Sequence, residues 1–200
     1  IVKTIALSVI ITCFAITISA QSIGTFATVT PTAQTQSLVI PSSHRFQRII
    51  RSGEPLSLGG NMGSLPDFTG YVPISGSSRN GYLSISSEST PAAVAILGMS
   101  FNNITHLWTV NNGGNVSFPV PALQTTSRFC SGTVTPNGTI IVSEESNTAG
   151  DINTDGYTDV GWLIEIDPAT RTVIESDATH TGVDKLWAIG KTSRENAAIK

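Results

Sequence analysis

The sequence predicts an all-β fold, and within that class a β-propeller, present as an incomplete set of about three blades. Three observations carry this. Short apolar runs recur at regular spacing between explicit turn signals. The stretch Asn80–Ser89 lines up without gaps on Asn137–Ser146, each a turn, a strand and then a glutamate, about 57 residues apart, a period that suits one blade with its loops. Helix-forming stretches are nearly absent, whereas Gly, Ser, Thr, Asn and Pro are abundant and charged residues make up only 12% of the chain, a balance expected of an extracellular β-rich protein.

Taken in order, the chain begins with an export signal. Lys3 precedes the apolar run Thr4–Ile18, and Ser19 and Ala20 supply small residues before Gln21, so residues 1–20 read as a signal peptide. The run is too short to favour a permanent membrane span, so no stable span is expected once the signal is removed. The expected location is exported: periplasmic, cell-surface or extracellular. Residues 21–43 are rich in Thr, Ser, Gln and Pro with little periodicity and read as a linker. The partial propeller occupies 44–200, and too little chain remains there for a closed ring, so truncation at the C-terminus is expected.

Strands are expected at 71–75, 82–87, 93–101, 106–110, 116–120, 139–143, 161–166, 172–175 and 185–189. Turns are expected at Arg79-Asn80-Gly81, Asn112-Gly113-Gly114, Pro136-Asn137-Gly138 and Asp167-Pro168-Ala169-Thr170. The net charge of −3, without clustered Lys or Arg, excludes a nucleic-acid footprint.

The repeat delivers Glu88 and Glu145 to equivalent strand ends, and a third glutamate, Glu195, follows the strand-like 186–189. Carboxylates from successive blades would converge at one end of a central channel. Like charges gathered that closely need a cation, and hard oxygen ligands favour Ca²⁺; the alternative is that all three are solvated strand ends. Once the leader is gone, Cys130 is the sole cysteine and no intrachain disulfide can form. It reads as a buried thiol, a metal ligand or a nucleophile.

A second cation site is expected at 151–159. Asp151, Asn153, Asp155 and Asp159 stand at positions one, three, five and nine, Gly156 at six, and Tyr157 offers a carbonyl at seven, which is calcium-loop spacing. Trp162 occupies the twelfth position, where a helical calcium hand has glutamate, so the loop is expected to join strands. Its alternative reading is an Asx-turn loop without an ion.

The segment Arg128-Phe129-Cys130-Ser131-Gly132-Thr133-Val134-Thr135-Pro136-Asn137-Gly138-Thr139, followed by Ser143-Glu144-Glu145, resembles the PhoX-type alkaline phosphatases, a group of exported bacterial propellers. The run 161–168, the segment Arg194-Glu195-Asn196-Ala197-Ala198 and the stretch Pro66–Gly70 with the strand ending in Glu88 fall in the same order as in that family. The resemblance implies a six-bladed propeller and metal-dependent phosphomonoester hydrolysis at a centre of iron and calcium. It implies Cys130 as an iron ligand, Glu145, Glu195 and Glu88 as carboxylate ligands, and a phosphorylated small molecule as partner. Arg194 is a candidate phosphate contact. Ser87, Thr133 and Arg194 stand where the family has His, Gly and His. A non-catalytic calcium-binding propeller for adhesion or scaffolding at the cell surface is the second expectation.

Overall fold

Alternation of side chains along the strands explains the layers. A computed structural model of the chain describes residues 29, 38–41, 44–118, 125–147, 150–152, 154, 156–174 and 185–199. The expected signal peptide and most of the linker lie outside them. The strands belong to the unit Gln47–Lys200.

Within that unit, β1 (Pro66–Pro73), β2 (Asn80–Ser87), β3 (Val94–Asn102) and β4 (Leu107–Asn115) form an antiparallel sheet in chain order. A second such sheet follows, from β5 (Phe129–Val134), β6 (Ile140–Glu144), β7 (Leu163–Asp167) and β8 (Thr172–Val173). The fold is therefore all-β, and the helical element among the described residues is one 3₁₀ turn, Trp187–Ile189.

Period-two alternation sends Val94 and Ile96 of β3 toward the second sheet. There they meet Phe129, Ile140, Val142, Ile164 and Ile166 in one apolar core. Ala95, Leu97 and Met99 point the other way and pack with Leu56, Met62 and Ile85 in a second cluster. Both faces of β3 are thus covered, which is why 94–99 reads as a continuous apolar run rather than an alternating one.

The sheets are also joined by polar bonds. Ser86 Oγ donates to the Phe129 carbonyl at 3.0 Å, and Arg171, beside the β7–β8 turn, donates through Nη2 to Asn112 Oδ1 of β4 at 2.6 Å. The first strands of the two sheets, β1 and β5, lie against each other.

Four local expectations are corrected. Asn80 and Gly81 are no turn but open β2, and the turn before them has Ser77 N–H donating to the Ile74 carbonyl. Asn112-Gly113-Gly114 is no turn but part of β4. A Cβ on Gly113 would stand 2.6 Å from Leu97 Cδ2, so the glycine there serves close packing. Lys185–Ile189 is not a strand; Lys185 is drawn into the protein by a carboxylate, and the chain after it tightens into the 3₁₀ turn. The described part of 116–120 makes only an isolated bridge, Ser117 to Thr172. Conversely, β5 is a strand that the polar run Cys-Ser-Gly-Thr conceals. The turns at 136–138 and 167–170 do connect strands, with Gly138 N–H donating to the Thr135 carbonyl and Arg171 N–H to the Asp167 carbonyl.

The inter-sheet core is the main apolar contribution to stability. Truncating Ile96, fully buried and facing β6 and β7, removes transfer energy and leaves a cavity. Ile96→Ala is expected to lower the free energy of unfolding by about 2–5 kcal/mol, read from urea unfolding.

Candidate metal centre

The two sheets reach the site through matching backbone irregularities. In β1 the register jumps between Pro66 and Thr69, so Asp67 and Phe68 together oppose one residue of β2. In β5 it jumps between Phe129 and Gly132, so Cys130 and Ser131 together oppose one residue of β6. Pro66 pairs with Ser87 and Phe129 with Glu144, which are equivalent positions of the internal repeat. Asp67 and Cys130 therefore occupy the same place in successive sheets, as do Glu88 and Glu145. A bulge re-aims the side chain it carries and is a common neighbour of functional sites.

Gly132 makes the second bulge possible. A Cβ there would lie 2.1 Å from the Ile141 carbonyl oxygen and 3.0 Å from Phe68 Cδ1.

The outcome is a convergent group. One ligand atom from each of Glu88, Cys130 and Glu145 lies within 4.8 Å of the others, all half-buried. Cys130 Sγ donates to Asp67 Oδ2 at 3.4 Å, which brings a third carboxylate to the same place. Arg128 faces them, with Nη1 3.6 Å from Glu145 Oε2 and Nη2 4.0 Å from Glu88 Oε1.

The electrostatics of the group are those of an anionic cage. Desolvation, the hydrogen bond to Asp67 and the negative charges of Asp67, Glu88 and Glu145 push the Cys130 thiol up to about 11. The hydrogen bond to Glu145, burial and the charges of Glu145 and Asp67 raise Glu88 above its ordinary range against the pull of Arg128. Oε2 of Glu145 is buried with no hydrogen-bond partner among the described residues. Burial and the surrounding carboxylates therefore disfavour the thiolate, which is the nucleophilic form of Cys130. Three carboxylates and a sulfur, one oxygen unsatisfied, form a donor set that a cation would complete.

Other expected ligands lie elsewhere. Glu195 is exposed and outside this group, because the segment before it is not a strand that would carry it there. Arg194 donates through Nη1 to the Gly161 carbonyl and through Nη2 to those of Ile189 and Gly190, at 3.1, 3.2 and 2.6 Å. Those bonds spend its guanidinium on the backbone.

The 151–159 loop does join two strands, β6 and β7. Asp151 Oδ2 accepts from Gly156 N–H at 2.9 Å, and buried Asp159 accepts from Ile152 N–H at 3.2 Å. The Tyr157 ring stacks on Trp187, with centroids 4.8 Å apart. Asn153 and Asp155 lie outside the described residues.

Sequence reasoning missed Asp67, Arg128 and the partner of Glu144. Glu144 is fully buried, and its carboxylate accepts from the N–H groups of Ser127, Gly161 and Trp162 at 3.1, 2.9 and 3.1 Å. Lys185 Nζ sits 3.0 Å from both of its oxygens and also donates to the carbonyls of Thr125, at 2.9 Å, and Asp159. Burial pushes Glu144 upward and Lys185 downward, while the ion pair and the hydrogen bonds pull each back toward its charged form.

Comparison with protein-family models, curated proteins and solved structures finds no match to this chain.

Two outcomes follow from these geometries. Because the Cys130 pKa is raised, its thiolate should be scarce at neutral pH; alkylation of the metal-free protein lacking residues 1–20 should accelerate only as pH climbs toward about 11, and a cation bound to the sulfur should suppress it. Lys185→Met strands the buried Glu144 carboxylate and should cost about 3–5 kcal/mol by urea unfolding, whereas adding Glu144→Gln should restore much of the loss.

Proposed function

We propose that the convergent group is the metal centre of an exported PhoX-like phosphatase, and that the two sheets are consecutive blades of its β-propeller. One observation carries this reading: ligands from equivalent positions of two successive sheets meet at one point, a carboxylate pair from the first and a thiol with a carboxylate from the second. The donor set suits the proposed metals. A thiolate favours a transition metal such as iron, and carboxylates favour calcium. Asp67, Glu88, Cys130 and Glu145 would hold them.

When bound, such cations neutralise phosphate charge and activate an oxygen nucleophile. The chain's own contribution is orientation. The bulges aim Asp67 and Cys130, and the strand ends aim Glu88 and Glu145.

The cell-surface calcium-binding reading shares the same ligands and draws support from Arg194, whose guanidinium is bonded to backbone carbonyls instead of facing the centre.

Calcium and then ferrous iron titrated into the purified protein test the centre. At calcium about a hundredfold above its dissociation constant, stability should rise by about 2.7 kcal/mol. Cys130→Ser should abolish iron binding and spare calcium, and Glu145→Gln should weaken both. Hydrolysis of a generic phosphomonoester by the loaded protein, lost in Glu145→Gln, supports the phosphatase; metal binding without turnover supports the scaffold instead.

A further inference from the structure

Arg128 is held in an unusual way. Its φ is +52°, left-handed for a residue with a side chain, and such strain persists only where surrounding structure imposes it. Its N–H donates to the Ser89 carbonyl at 2.8 Å, and its own carbonyl accepts from Glu145 N–H at 3.0 Å. Ser89 follows Glu88, so the Arg128 backbone is clamped between the two glutamate-bearing segments.

The side chain is held far less firmly. It is 53% exposed, and its closest approaches to Glu88 and Glu145 are 4.0 and 3.6 Å. Those separations exceed good hydrogen-bond distances, so charge rather than directional bonding keeps the guanidinium there. A cation entering among the carboxylates would take over that charge compensation and repel the guanidinium. Arg128 would then stand at the rim of a cationic site with its donors available, in the planar fork that suits two oxygens of a phosphoryl group.

We propose that Arg128 is a metal-gated anion receptor: the counter-ion of Glu88 and Glu145 when the centre is empty, and a donor to a phosphoryl oxyanion once a cation occupies it. The role rests on the metal-centre reading and adds to it the binding of the anion. It has a signature that a structural role lacks, because removing the guanidinium acts in opposite directions on the two ligands. The cation loses a competitor, and the anion loses a charge-assisted partner.

Isothermal titration of calcium into phosphate-free protein, followed by inorganic phosphate into the calcium-loaded protein, reads both effects. Arg128→Met should bind calcium as tightly as the native chain or a few-fold tighter, and phosphate at least about tenfold more weakly. Arg128→Lys, which keeps the charge and loses the fork, should fall between them and serves if the Met variant is poorly folded. Phosphate affinity unchanged in both variants would overturn the role, as would phosphate binding equally tight without calcium. Failure of the native protein to bind calcium would overturn the centre and this role with it, whereas calcium binding with an indifferent Arg128 would overturn the role alone.

Discussion

The buried ion pair of Glu144 with Lys185 is the constraint on which the second sheet and the site beside it depend. A carboxylate and an ammonium removed from water lose several kcal/mol of hydration each, and their attraction offsets this only when the remaining lone pairs and protons are also used. Here they are used. Three backbone N–H groups and the ammonium converge on the Glu144 carboxylate, while Lys185 also reaches two carbonyls. The pair thereby ties the end of β6 to the chain just before β5, the approach to β7 and the segment at 185. Since successive side chains of an extended chain diverge, drawing Glu144 inward leaves Glu145 to face the centre. Two adjacent identical residues acquire opposite duties.

That division bears on what the sequence could reveal. The gapless repeat located Glu88 and Glu145 because the run from Asn80-Gly81 to Glu88 and the run from Asn137-Gly138 to Glu145 have the same length. It could not locate Asp67. β1 and β2 are longer than β5 and β6, so Asp67 stands farther from Glu88 in sequence than Cys130 does from Glu145, and the equivalence of Asp67 with Cys130 emerges only from strand pairing and the two bulges. Arg128 was hidden for a related reason: its proximity to Glu88 comes from a backbone bond to Ser89, which no local pattern encodes. Lys185 was obscured by its neighbours. Leu186, Trp187, Ala188 and Ile189 read as a strand, but one charged residue satisfied by a distant carboxylate overrides the preference of the apolar run.

Most strands were legible because each is a short apolar run closed by Gly, Pro or Asn, and the inter-sheet core draws on those runs. Two of the errors share one cause. A glycine pair was read as a turn at 113–114, where it admits Leu97, and the glycine in Cys-Ser-Gly-Thr masked a strand, where it admits a carbonyl. Glycine marks both a change of direction and a close approach, and sequence alone does not separate the two.

The paired bulges have a consequence for how such a centre can change over time. Each is a property of the backbone, set by the register of two strands, and each presents one side chain to the same point. The residue at that slot can then be exchanged with little disturbance to the ladder that aims it. One sheet offers a carboxylate and its neighbour a thiol, so the hardness of the combined ligand set is written in two interchangeable positions. For the proposed metal centre, metal preference would then be a trait that single substitutions retune while the scaffold stays constant.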